Sequence, residues 1–136
     1  MFVYHVSKKL NKDMVFFPRV PRSRMMGENS TIPRICVAMN IIDALRGYNC
    51  FDIDDEFNVF RFEIKDNDCF IKWNKIAKFV VDSCWTHECW LLNKKRGKKI
   101  GRIKVKDFDF GSSTNEFGEV FSAPVNIKWK WIEKYS

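Results

Sequence analysis

The sequence has few histidines, no catalytic signature and no long apolar run, and each shortage narrows what the chain can do. Only two histidines occur in 136 residues, His5 and His87. No GxSxG elbow is present and no Cys stands in evident partnership with a His base, so nucleophilic catalysis has little support. Walker and GxGxxG loops are also missing, which removes the glycine-rich cradles for phosphate. The five cysteines (Cys36, Cys50, Cys69, Cys84, Cys89) form no CxxC pair. Structural zinc sites declare themselves by such spacing, so the Cys84-Trp-Thr-His-Glu-Cys89 run is expected to carry no metal. All five thiols are expected to be reduced, in a cytosol. Apolar runs such as residues 76–81 are far too short to span a bilayer. Lys8, Lys9, Lys12 and Asp13 follow Met1 too soon for a signal peptide. The expectation is a cytoplasmic protein without a membrane partner.

What the chain does have is aromatic mass. Thirteen Phe, five Trp and three Tyr within 46% hydrophobic residues exclude disorder for most of its length. That length suits one core, hence a single domain over residues 1–136. The net charge of +7 is unevenly placed. Seven acids face two bases between residues 51 and 69, whereas residues 94–106 hold eight bases and no acid. Such asymmetry points to a polyanionic partner, while a solvated hairpin turn or a lysine-blunted sheet edge would read the same way.

Arginine and proline concentrate in residues 18–34. Arg19, Arg22, Arg24 and Arg34 share this stretch with Pro18, Pro21 and Pro33. Each proline fixes φ and removes a donor, so neither a helix nor a central strand can cross it. The expectation is a long, stiffened loop that holds its arginines toward a ligand. Guanidinium groups match phosphate oxygens in bidentate fashion, which makes Arg19, Arg22 and Arg34 candidate ligand-binding residues.

Hydrophobic pattern places the elements. Residues 2–6 and 14–17 read as short strands, and residues 35–38 as a buried one. His5 falls on the same face as Val3 in the first. Asn40 is set to cap a helix with Asp43 three positions on, Ile41, Ile42 and Leu45 as its apolar face, and Gly47 as its end. Residues 58–65 alternate Val59, Arg61 and Glu63 with Phe60, Phe62 and Ile64, the pattern of a half-buried strand. Residues 69–73 read as its hairpin partner across Asp66-Asn67-Asp68. Residues 76–81 favour strand through their β-branched members. Residues 88–92 and 100–105 read as two strands around the basic turn, and residues 107–118 as a surface loop. In residues 120–132, Val125, Ile127, Trp129 and Trp131 alternate with Asn126, Lys128 and Lys130. The fold class is α+β, mainly antiparallel sheet with one or two short helices.

Two resemblances add to these patterns. YHVSKK, FPRVPRSRMMGENSTIPRICVAMNIIDALRG, VVDSCWTHECWLL and IGRIKV resemble a family of small uncharacterised bacterial and phage proteins, over most of residues 2–106. A histidine in the first strand, a downstream strand entering a helix and a late glutamate are similar, more distantly, to the ADP-ribosyltransferase-like fold. That resemblance implies NAD or a related nucleotide as ligand, His5 as the strand histidine, and Glu88 or Glu119 as the catalytic glutamate. It lacks a tyrosine after residues 35–38. Three functions are open: a domain that binds a phosphorylated, NAD-related nucleotide; an inert interaction protein of a phage or mobile element that blocks a host defence factor; and an RNA- or DNA-binding module. The last would use a basic hairpin of Lys94, Lys95, Arg96, Lys98, Lys99 and Arg102.

Overall fold

The computed structural model describes residues 1–21, 29–48, 51–76, 86–114 and 117–127. In chain order the elements are β1 (Phe2–Ser7), β2 (Val15–Phe16), β3 (Ile35–Val37), α1 (Ile41–Arg46), β4 (Glu56–Glu63) and β5 (Phe70–Ile71). A 3-10 turn at Trp73–Lys75 precedes β6 (Cys89–Leu91), β7 (Lys95–Arg96) and β8 (Lys98–Lys104). A second 3-10 turn at Val105–Asp107 leads into β9 (Phe108–Thr114) and β10 (Val120–Ile127). Among the described residues every strand pairing is antiparallel, in four small sheets: β1-β4-β8, β3-β6-β5, β2-β7 and β9-β10. Over the described residues the chain is thus a small single domain of mostly antiparallel sheet, in which α1 is the one helix described in full. Among the described residues no helix is long and apolar enough to cross a membrane.

The central strand β4 is where hydrophobic pattern falls short. Its alternation predicts half-burial, yet Phe57, Val59, Phe60 and Phe62 are all 0% exposed. Alternation still operates, but both faces are covered. Phe57 and Val59 join Val6, Ile103, Ile41, Leu45 and Phe108 on one side. Phe60 and Phe62 join Val3, Ile35, Val37, Cys89 and Leu91 on the other. Each buried phenylalanine contributes about 1.5–3 kcal/mol of hydrophobic stabilisation, so this strand anchors two cores at once.

β3 lies beside β1, as expected. Tyr4 and Ala38 exchange backbone hydrogen bonds of 2.7 and 2.9 Å. From there the chain enters α1, whose ends match the local signals in the sequence. Asn40 accepts from Asp43 N–H at 2.8 Å and donates to its carboxylate at 2.9 Å, a reciprocal cap. Gly47 closes the helix with φ −68°, without the left-handed turn typical of glycine.

Three expectations are corrected by pairing. β5 does not fold back on β4; it pairs with β6. Asp68 explains this, because it binds Lys65 N–H, Asn93 and Lys95 and so turns the chain toward the later segment. Residues 107–118 are no mere loop, since β9 pairs with β10 over its full length. In β10 the expected inward Val125 is 48% exposed, while Ala123 is buried. The register slips between Pro124 and Asn126, where proline cannot donate to the ladder and a bulge takes up the extra residue. Residues 77–81, expected as strand, and Trp129 and Trp131 lie outside the described residues.

Gly97 packs where only glycine fits. A Cβ there would stand 2.8 Å from the Phe62 ring, which is fully buried and has nowhere to move. Gly97→Ala is expected to cost about 1–3 kcal/mol, seen as a lower urea midpoint with an unchanged slope. An unchanged midpoint would show that β4 has slack.

Candidate functional site

The arginine loop and His5 do come together in part. Arg19 and Arg34 form a two-hydrogen-bond bridge, 3.1 and 2.9 Å, that clamps the loop's two ends. Their side chains diverge in role. Arg19 is exposed and close enough to His5 for its charge to act on the imidazole. Arg34 is 1% exposed. Its Nη1 donates to Asn29 O and Ile32 O at 3.0 Å each, and its guanidinium lies 4.4 Å from the Trp90 ring centre. That guanidinium braces residues 29–34 from within. Arg22 lies outside the described residues.

His5 is enclosed by rings, with centroids 5.1 Å from Phe16 and 6.4 Å from Phe60. Its Nδ1 sits 2.9 Å from Cys36 O, an acceptor, so Nδ1 carries the proton. Burial holds its pKa below the ordinary value, the Cys36 carbonyl opposes that, and Arg19 reinforces it.

The two candidate glutamates sit on different elements. Glu88 accepts from Trp90 Nε1 at 2.8 Å, in the segment leading into β6. Glu119 is exposed beside the β9–β10 turn. Neither is joined to His5 by a described hydrogen bond.

A polar pair that spacing did not reveal links α1 to the approach to β6. Asp43, buried at 8%, stands 3.2 Å from His87 Nδ1 through Oδ2 and 3.5 Å from Arg46 through Oδ1. His87 adopts φ 53° and packs on Trp73 with centroids 4.6 Å apart. A non-glycine residue in this left-handed region persists only when its surroundings fix it, and these two contacts do so. Asp43 read as a cap because the cap is local; its partner is 44 residues away. Among the described residues no group of three His, Cys, Asp or Glu side chains is placed to hold a metal.

The basic stretch is a pair of strands and no hairpin. β6 joins β3 and β5, while β8 joins β4, so the two strands flanking it never pair with each other. Between them β7 pairs with β2, Val15 opposite Arg96 and Phe16 opposite Lys95. Side chains then alternate. Phe16 turns inward onto Phe60 and Phe62. Lys95, on the same side, forms a 2.6 Å ion pair with Asp68. Burial pushes the Asp68 pKa up, but the Lys95, Lys65 and Asn93 hydrogen bonds outweigh it and hold the carboxyl below its usual value.

Lys94, Arg96 and Lys98 take the opposite, outward side and are exposed. Lys94 Nζ lies 5.6 Å from the ring centre of Phe17, itself 64% exposed. Arg96 donates to Asp13 O at 3.0 Å, which holds its fork in place. Lys98 stands directly across from Arg61 in the ladder. The Arg61 guanidinium in turn stacks 4.4 Å from the ring centre of Phe2, which is 44% exposed. Beyond this point the β4–β8 register slips between Val59 and Phe60. Lys99 is half-buried opposite Phe60 just before the slip, and past it Arg102 meets Glu56 at 3.3 Å. The candidate residues therefore divide: Lys94, Arg96 and Lys98 share one outward row, while Lys95 belongs to the interior. Sequence reading missed Arg61, Phe2 and Phe17, because only the register brings them to that row. Comparison with protein-family models, curated proteins and solved structures finds no match.

His5 yields a pH prediction. With a folded pKa below the ordinary 6.5, the unfolded chain binds the proton more readily. Its contribution to stability is whole above that value and is lost as pH falls through the folded pKa. The urea midpoint should fall between about pH 7.5 and 5, and fall less in His5→Phe. An identical decline in the variant would assign the effect to other groups.

Proposed function

We propose that this protein is a nucleic-acid-binding module whose contact surface is the outward row of β7 and β8. The observation that supports this most directly is Arg61 facing Lys98 across the ladder. Like charges directly opposite one another destabilise a sheet by a few tenths to about 1 kcal/mol. No acid lies between them in the register; Glu63 stands further along β4, opposite Phe2. A phosphate placed over the pair converts that repulsion into two attractions. Arg96 and Lys94 extend the row, and exposed rings border it. The uneven net charge of +7 supplies a long-range field that favours polyanions. Cys36, Cys69 and Cys89 are free thiols, while Cys50 and Cys84 lie outside the described residues; a reducing, cytoplasmic setting is part of the proposal.

The test is titration of a labelled oligonucleotide of roughly twelve nucleotides at several salt concentrations. Binding should weaken with salt, and the combined variant Lys94→Gln, Arg96→Gln, Lys98→Gln should lower the logarithmic salt slope by roughly 2, about 0.7 per phosphate contact. Equal affinity and slope in the variant, or no binding by the wild type at low salt, would reject the reading.

A second reading keeps the NAD-related nucleotide in an ADP-ribosyltransferase-like pocket. It is favoured by one placement, the exposed Arg19 beside His5. Arg34 contributes to such a site only by holding the loop. NAD or ADP-ribose should then raise the thermal midpoint of the wild type and leave Arg19→Gln unchanged. Flat midpoints for both nucleotides in the wild type would remove this reading.

A further inference from the structure

The outward row of β7 and β8 also bears on which form of nucleic acid binds, an inference that rests on the nucleic-acid reading of that row. We propose that the site accepts a single strand in extended form, with one base on Phe17, another on Phe2 and the intervening phosphates on Lys94, Arg96, Lys98 and Arg61.

Phe17 and Phe2 are 64% and 44% exposed, large apolar surfaces that gain nothing from water. Each is already paired with a cation, Lys94 at 5.6 Å and Arg61 at 4.4 Å. A cation occupies one face of a ring, so each ring is oriented as well as exposed. A phenyl face beside a fixed cation matches a nucleotide, whose base stacks while its phosphate pairs with the charge. The Arg61 guanidinium is itself a plane on which a base stacks.

The availability of base faces argues against a duplex. Phe17 lies beside Lys94 and Phe2 beside Arg61, the cross-strand partner of Lys98. Four residue steps separate Lys94 from Lys98, through β7, Gly97 and the start of β8, at most about 13 Å at about 3.3 Å each. Stacked bases in a duplex repeat at about 3.4 Å, so neighbouring bases of a duplex cannot reach both rings. Their faces are also covered by one another, and exposing them costs unstacking energy that a single strand does not incur. The bases between must be splayed, which an extended single strand allows. Arg96 falls midway, anchored by Asp13 O, where an intervening phosphate would pass.

The inner side of the same ribbon is closed, which leaves the outward side for a strand laid over it. At Lys98 the outward side is that of Arg61 and Phe2, whereas Gly97 abuts Phe62 on the inner face. Phe16, across from Lys95, rests on Phe60 and Phe62 on that inner face as well.

The experiment compares three probes of equal phosphate number at one salt concentration: oligo-dT, oligo-U and a mixed-sequence DNA duplex, read by fluorescence anisotropy. Either single strand should bind at least about tenfold tighter than the duplex. Phe17→Ala and Phe2→Ala should each weaken single-strand binding about fivefold or more while leaving the salt slope unchanged. Both rings are exposed, and unchanged thermal midpoints will show that the variants fold. Phe17→Trp should restore or exceed wild-type affinity. Equal binding of the duplex, or ring variants that bind as the wild type does, would overturn the single-strand assignment. If the triple charge variant still weakened binding in that case, the broader nucleic-acid reading would stand. Absence of binding to all three probes would remove both.

Discussion

Everything in this fold depends on β4 being covered on both faces. Phe57 and Val59 enter one core, Phe60 and Phe62 the other, and all four are fully buried. This eight-residue strand thus ties α1 and the β9–β10 hairpin to one side and the β3-β6-β5 sheet to the other. A strand in that position has no room for a polar residue without a partner. Asn58 illustrates the constraint: it is 9% exposed and its amide donates to Lys9 O at 3.2 Å. Arg61 marks where the coverage ends, because there the outward face is open and the guanidinium finds Phe2.

The placement of charge is a consequence of that burial. β8 is the last strand of its sheet among the described residues, with Ile103 in the core and Arg102 and Lys104 exposed to either side of it. Lysine and arginine along such a strand blunt pairing with other chains. A purely protective role would be served equally well by charges scattered along the edge. The alternate exposure of Lys94, Arg96 and Lys98, two of them with a defined neighbour and the third facing Arg61, is more organised than protection requires. Function and edge protection are therefore compatible uses of the same residues.

The arginine loop is organised by desolvation in the same way. Its prolines stiffen the chain, and the guanidinium that braces residues 29–34 is Arg34, engaged by two carbonyls and a tryptophan ring. Desolvating a guanidinium is costly unless its donors are met. A single buried arginine that links the loop to Trp90, which in turn donates to Glu88, fastens loop and sheet together. His5 is likewise occupied, by Cys36 O and two phenyl rings.

Local signals were legible in the sequence. The Asn40–Asp43 cap, the end of α1 at Gly47, the strands at β1, β3, β6 and β8, and the side of β1 that His5 takes all rest on interactions within a few residues or on simple alternation. The clustering of eight bases over residues 94–106 was equally plain. What the sequence did not decide was partnership. Turn signals point β5 to β4, yet it pairs with β6; charge pattern suggests a basic hairpin, yet β7 pairs with β2; alternation points Val125 inward, yet a bulge at Pro124 turns it out. Asp43 and His87, Arg61 and Lys98, Arg34 and Trp90 are likewise contacts across long stretches of chain. The physical reason is one of range. Caps and alternation are fixed by bonds and torsions of neighbouring residues, whereas register is set by how distant apolar faces share two cores, and only the folded chain fixes that.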